Sequence, residues 1–174
     1  MSGDAPPVAI AAASGAADIE AARALFRDYA AALPFDLEFQ NFAAELTGLP
    51  APYAPPGGVL LLAKSSGSPV GAVGVKRLAD GVAEIKRLYV VPEARGHRLG
   101  HALLARAIGE AARIGYRRVR LDSHRASMGR AIALYRTLGF SEIAPYGPDL
   151  GGAIAFFEKR LDHPTAVASG RWAG

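Results

Sequence analysis

The sequence predicts an α+β domain, a mostly antiparallel central sheet flanked by helices. Three observations predict it. Short runs rich in Val, Leu and Ile are separated by turn chemistry at Ser65-Ser66-Gly67-Ser68 and Asp80-Gly81, which is a hairpin signature. Longer stretches, residues 16–33 and 102–114, repeat their apolar residues at helical spacing. One strand, 83–91, feeds a helix through a short basic loop, and another strand follows, so a βαβ unit sits among the hairpins.

In chain order, 8–13 reads as a first strand. Ser14 is a candidate N-cap, and Ile19, Ala22, Leu25, Phe26 and Tyr29 place one apolar face on a helix that Pro34 ends. Residues 39–49 read as one shorter helix with Phe39, Phe42, Leu46 and Leu49 on one side. Four prolines and two glycines around Tyr53 make 50–58 a loop. Strands at 59–63 and 69–76 form a hairpin, and 83–91 is expected to be the longest strand. Gly115 ends the helix that follows. A short strand at 117–121, a helix at 127–138 closed by Gly139, and strands at 140–143 and 153–161 complete the order. A flexible start (1–6), one domain (7–161) and a disordered tail (162–174) are expected.

At 174 residues, 51% of them apolar and 21% charged, the chain is expected to be one globular domain. It has no Cys, which excludes disulfides, thiolate metal sites and a Cys nucleophile, and fits an expected cytoplasmic location. No apolar run approaches the roughly 20 residues of a membrane span. Asp4, with no Lys or Arg before residue 8, argues against a signal peptide. No membrane partner is expected.

Residues 86–136 hold twelve Lys/Arg against three acids. That field suits a polyanionic small ligand. The region lacks a stacking surface of interleaved aromatics, so nucleic acid is not the expected partner. At its centre lies Arg95-Gly96-His97-Arg98-Leu99-Gly100-His101, between an apolar run ending at Pro92 and the helix. A strand-to-helix loop of this kind binds anions through its amides and the helix dipole. A Walker loop is excluded because His101-Ala102, not Lys-Ser/Thr, follows Gly100. A Rossmann fingerprint is excluded by the glycine spacing and the preceding hairpins. His97 and His101 have metal-like i, i+4 spacing, but His97 falls in the loop and no Cys is at hand, so no metal is expected.

With these residues in place, the stretch 85–140 resembles the GNAT N-acetyltransferases. Their loop signature is Q/R-x-x-G-x-G/A. Arg95 and Gly100 match its ends, and Arg98 stands where the middle glycine is usual. Leu121-Asp122-Ser123, Met128, Ala131, Leu134-Tyr135 and Leu138-Gly139-Phe140 resemble the family's next strand and helix.

The resemblance implies the GNAT acyl-CoA N-acyltransferase fold. It implies direct transfer of acetyl from acetyl-CoA to a primary amine of a small molecule or peptide in a ternary complex. A non-catalytic coenzyme A-binding module is the alternative, and a homodimer is compatible with the family. By resemblance, Arg95, Gly96, His97, Arg98, Leu99, Gly100 and His101 meet the pyrophosphate. Leu88, Tyr89, Val90, Ser123, Ala131 and Tyr135 border the pantetheine arm, and Arg136, with Arg130, reaches the 3′-phosphate. The catalytic residues would be Glu84 as base, the Leu88 N–H on the acetyl carbonyl, and Tyr135 as the acid that protonates the thiolate. Strand periodicity puts Glu84, Lys86, Leu88 and Val90 on one face and Arg87 and Tyr89 on the other. The acceptor pocket is expected from the second helix and the 53–58 and 146–151 loops, with Asp36, Glu38, Glu45 and Asp149 as candidate attractors of a cation.

Overall fold

The computed structural model describes residues 7–162. The expected flexible start, 1–6, and residues 163–174 of the tail expected at 162–174 lie outside the described residues. Seven strands make one sheet: β1 (Val8–Ala12), β2 (Val59–Ser65), β3 (Ser68–Ala79), β4 (Val82–Val90), β5 (Arg118–His124), β6 (Ser141–Ile143) and β7 (Ile154–Arg160). Their spatial order is β1-β2-β3-β4-β5-β7-β6. Every neighbouring pair is antiparallel except β4–β5, the two strands of the βαβ unit.

Four α-helices cover the sheet: α1 (Gly15–Ala31), α2 (Phe42–Gly48), α3 (Leu99–Ile114) and α4 (Gly129–Thr137). Ala22, Leu25 and Phe26 of α1 and Phe42 of α2 pack with Leu60, Leu62 and Ala72 on one face. Leu99, Leu103, Leu104, Ala107 and Ala111 of α3 and Tyr135 of α4 pack with Leu61, Val73, Val75 and Ile85 on the other. In α3 these positions are i, i+4, i+5, i+8 and i+12, which keeps one stripe on the sheet. Gly115 ends α3 at φ 110°, its N–H donating to Ala111 and Ala112. No described helix is long and apolar enough to cross a membrane.

Three element expectations are corrected. The single helix at 39–49 is broken: a 3-10 turn, Glu38–Gln40, gives way to α2 at Asn41, which has φ 56°. The longest strand is β3, with twelve residues against nine for β4. The 50–58 loop contains a short 3-10 turn, Ala51–Tyr53, whose Tyr53 is 1% exposed. That ring packs against the sheet at Gly74, where a Cβ would stand 2.5 Å from Tyr53 Cδ1. The glycine thus leaves room for a large apolar side chain that sequence reading assigned to a loop.

Candidate active site

The site is built on an irregularity in β4. Ala72 pairs with Tyr89 and Gly74 with Lys86, so Val73 alone faces both Arg87 and Leu88. This is a β-bulge, and Arg87 adopts φ 62° to form it. The bulge breaks the two-residue periodicity and overturns the expected faces. Glu84, Lys86 and Arg87 all open on the cavity beneath α2. Leu88 and Val90 pack with the α3 cluster on the opposite face, and Tyr89 returns to the α1 side.

Non-glycine residues rarely hold a left-handed conformation, which costs roughly 1–3 kcal/mol and needs surrounding support. Arg87 has that support. Its guanidinium meets Glu45 Oε2 at 2.7 Å through Nη2 and donates to Gln40 Oε1 at 2.7 Å through Nη1. It lies over the rings of Phe42 and Tyr29, 5.0 and 6.0 Å from their centroids. Its side chain is 2% exposed. Burial opposes the charge on Arg87, but the Glu45 contact outweighs it and raises the pKa. Burial likewise opposes the charge on Glu45, and its Arg87 bonds outweigh this and lower its pKa.

Beyond the bulge the sheet opens. β4 and β5 pair only from Val82↔Arg118 to Glu84↔Arg120. β4 then continues to Val90 and β5 to His124 without pairing to each other, which leaves a cleft lined by Ile85, Leu88, Asp122 and Tyr135 among others. Tyr135 Oη lies 2.9 Å from Ser123 Oγ, and both side chains are buried. Burial pushes the phenol well above its ordinary value, and the Ser123 contact only partly offsets this. The hydroxyl therefore stays protonated at neutral pH.

The basic loop stands at the end of β4. Gly96 has φ 90° and Arg98 φ 58°. Arg98 thus takes the left-handed backbone that the usual glycine would take without strain. The first bond closing α3 runs from Ala102 N–H to the Arg98 carbonyl at 3.0 Å. The amides of Leu99, Gly100 and His101 precede it and have no partner inside the helix. Gly96, His97 and Arg98 are exposed, Gly100 and His101 half-buried and Leu99 buried. Arg95 folds back, its Nε donating to the Val90 carbonyl at 2.9 Å and its guanidinium 5.7 Å from the Tyr89 ring centroid. Ala131 is half-buried on α4, and Arg130 and Arg136 are exposed on it.

On the α2 side, a cavity of about 220 Å³ is lined by Phe39, Gln40, Lys76, Glu84, Asp122 and Tyr146 among others. Tyr146 Oη donates to Glu84 Oε1 at 3.2 Å, while Lys76 and Lys86 lie 3.7 and 3.6 Å from the Glu84 carboxylate. Lys86 also reaches Asp122 at 3.2 Å. Burial pushes the Tyr146 phenol up, and the charges of Glu84 and Asp122 push it further. Glu45 of α2 and residues 146–148 are walls of this cavity. The 53–58 loop is not one of them, because Tyr53 turns inward and donates to Glu45 Oε1 at 2.5 Å. Of the expected cation attractors, Glu45 is taken by Arg87 and Tyr53. Asp36 caps the Glu38 amide at 2.7 Å, and Asp149 caps that of Gly151 at 3.1 Å.

Sequence reading expected the segments of Gln40 and Tyr146 as pocket walls without singling out either residue, missed Lys76, and left Asp122 without a role. Asp122 carried a faint signal, as one of only three acids in a stretch of twelve cations. Among the described residues no cluster of three or more His, Asp or Glu side chains is arranged to hold a metal.

Known proteins share this architecture. The model of the acetyltransferase (GNAT) family matches residues 20–140. An uncharacterised N-acetyltransferase of Schizosaccharomyces pombe is 35% identical over 131 residues, covering 74% of this chain and 80% of that protein. The crystal structure of a GNAT-family acetyltransferase from Staphylococcus aureus superposes with a TM-score of 0.72 at 20% identity, over 90% of this chain and 100% of that one. The PaiA N-acetyltransferase of Thermoplasma acidophilum, solved in complex with coenzyme A, gives a TM-score of 0.67 at 20% identity, over 89% and 99% of the two chains. The cleft between splayed parallel strands, the amide-rich loop at its end and the family match together make this chain a GNAT-family N-acetyltransferase.

Proposed function

We propose that the chain transfers acetyl directly from acetyl-CoA to a primary amine held in the cavity beneath α2. The observation that carries this reading is the β4–β5 cleft, with the basic loop at one end, the Tyr135 hydroxyl on its wall and a charged cavity on the far side of the sheet. Pantetheine lies in the cleft, its amides pairing with the backbone of Leu88–Val90 where β5 has left β4 unpaired. The pyrophosphate sits on the amides of Gly96–His101, at the positive end of α3. Arg95 exchanges the Val90 carbonyl for phosphate, Arg98 adds its charge, and Arg136 with Arg130 meets the 3′-phosphate.

An ammonium group is not a nucleophile, so a carboxylate on the acceptor side takes its proton. Glu84 and Asp122, on either side of Lys86, are the two candidates that remain open to the cavity. The free amine attacks the thioester carbon, and the Leu88 N–H receives charge developing on the carbonyl oxygen. The C–S bond breaks, and Tyr135 passes its proton to the departing thiolate, with Ser123 orienting the hydroxyl.

The test pairs calorimetric titration of acetyl-CoA with a thiol-release assay across amines, amino acids, polyamines and peptides. Acetyl-CoA binding together with amine-dependent thiol release is the expected result. Tight binding with no release for any amine would instead support a coenzyme A-binding module.

A further inference from the structure

Three carboxylates line the acceptor cavity: Glu45, Glu84 and Asp122. Glu45 accepts both arms of the Arg87 fork and the Tyr53 hydroxyl, so it has no capacity left for a proton. Glu84 is crowded by Tyr146, Lys76 and Lys86, and it lines the acceptor cavity but not the cleft. Asp122 differs on both counts. Its one ion-pair partner among the described residues is Lys86, and its side chain is 18% exposed. It lines the cleft and the cavity alike. A base must reach the amine where the amine meets the thioester, which is the border of these two spaces.

Strand β5 adds a second reason. Its alternation sends Ser123 to the Tyr135 hydroxyl and the neighbouring Asp122 to the opposite face. Two neighbouring residues of one strand therefore serve the two sides of the reacting carbon: Ser123 holds the proton donor Tyr135 of α4, and Asp122 is itself the acceptor.

We propose that Asp122 is the catalytic base that takes the proton from the acceptor amine. The inference rests on the acetyl-transfer reading of the site. The ammonium gives one proton to the Asp122 carboxylate, which passes it to water, and the lone pair of the free amine then forms the C–N bond. The C–S electron pair leaves on sulfur, which takes the Tyr135 proton, and the second N–H proton passes to Asp122 and through water back to Tyr135, so that one net proton is released per ammonium consumed. Lys86 holds the Asp122 carboxylate at the border, and Glu84 positions Lys86 from its other side. The charged and titratable groups around Asp122 are Lys76 of β3, Glu84, Lys86 and Arg87 of β4, Tyr29 of α1, Tyr135 of α4 and Tyr146 of the β6–β7 loop, with Glu45 behind Arg87. His124, two residues along β5, is held by Ser127 at 2.8 Å and packs on Phe35.

The experiment is a pH profile of kcat/KM with the best amine from the panel, for wild type, Asp122→Asn, Glu84→Gln and His124→Gln. Asp122→Asn should lose on the order of 100-fold or more in kcat/KM and the ascending acid limb with it, while acetyl-CoA affinity stays within about threefold. Glu84→Gln should lower the rate less and keep the limb. Formate should restore measurable turnover to Asp122→Ala, an effect a purely structural aspartate would not give. The proposal is overturned if the limb survives Asp122→Asn, or if it vanishes instead in Glu84→Gln or His124→Gln. A wild type that binds acetyl-CoA but acetylates no amine removes the transfer reading itself, and this proposal with it.

Discussion

The two ends of the site are held by different physics. At the loop, Gly96 and Arg98 are exposed, the donors without a helical partner are backbone amides, and conformation is set by two residues with positive φ and by the start of α3. Beneath α2, Glu84, Lys86 and Arg87 are buried, and what holds them is a chain of side-chain contacts drawn from α1, α2, β3, β5 and the β6–β7 loop. An amide cradle comes ready-made with a helix N-terminus, whereas a buried charge network stands only while every member has its partner. The first half should therefore tolerate substitution and the second should not.

The sharpest way to break this contrast is at Arg87. Arg87→Met leaves Glu45 as a buried carboxylate without its counter-ion, and we expect a loss of roughly 3–5 kcal/mol in urea unfolding. Arg87→Met combined with Glu45→Gln removes the stranded charge while keeping an acceptor for the Tyr53 hydroxyl, and it should recover more than half of that loss. pH reads out the same pair. The folded pKa of Glu45 is lowered, so its contribution is fully present above the unfolded value of about 4.3 and is lost as pH falls through the folded value. The wild type should weaken in that acid window more steeply than the double variant. A single variant that unfolds within about 1 kcal/mol of wild type would show that the clamp is dispensable.

Next in size is Tyr135, where the halves meet. Tyr135→Phe should cut kcat by roughly 100-fold with little change in acetyl-CoA affinity, because in the proposed reaction the hydroxyl acts only as sulfur departs. It also strands the buried Ser123 hydroxyl, a cost of about 1 kcal/mol that Ser123→Ala in the same chain should relieve without restoring kcat.

The same contrast explains what the sequence made legible. The loop, α3 and the Leu134-Tyr135…Phe140 pattern are local: turn residues, apolar spacing and a helix start are all written within a few positions. The order of elements followed from the same signals. The bulge at Arg87 was not legible, because an arginine in a run of strand-forming residues carries no mark of a left-handed backbone. What fixes it there is Glu45, 42 residues away. Missing the bulge put Glu84 and Lys86 on the face of Leu88 and Val90. The inward turn of Tyr53 was hidden for a similar reason: the space it fills is made by Gly74 in another strand. Asp122 was overlooked because its place at the border of two cavities exists only once β4 and β5 diverge.

The smallest effect is expected at Arg98, where the loop departs from the family pattern. Its φ of 58° costs an ordinary L-residue roughly 1–2 kcal/mol, and glycine avoids that cost but loses more chain entropy on folding, about 0.5–1 kcal/mol. Arg98→Gly should thus stabilise the fold by about 0.5–1 kcal/mol, raising the thermal midpoint by a few degrees. The same change removes a cation next to the proposed pyrophosphate site. Acetyl-CoA binding should weaken a few-fold at low salt, with the gap to wild type closing as salt screens the exposed charge. Arg98→Ala separates the two effects, since it loses the charge and keeps the left-handed backbone: its affinity should match Arg98→Gly while its stability should not. Equal stabilities for the Ala and Gly variants would mean that Arg98 carries no backbone strain. Equal affinities for wild type and both variants would mean that the amides alone hold the donor.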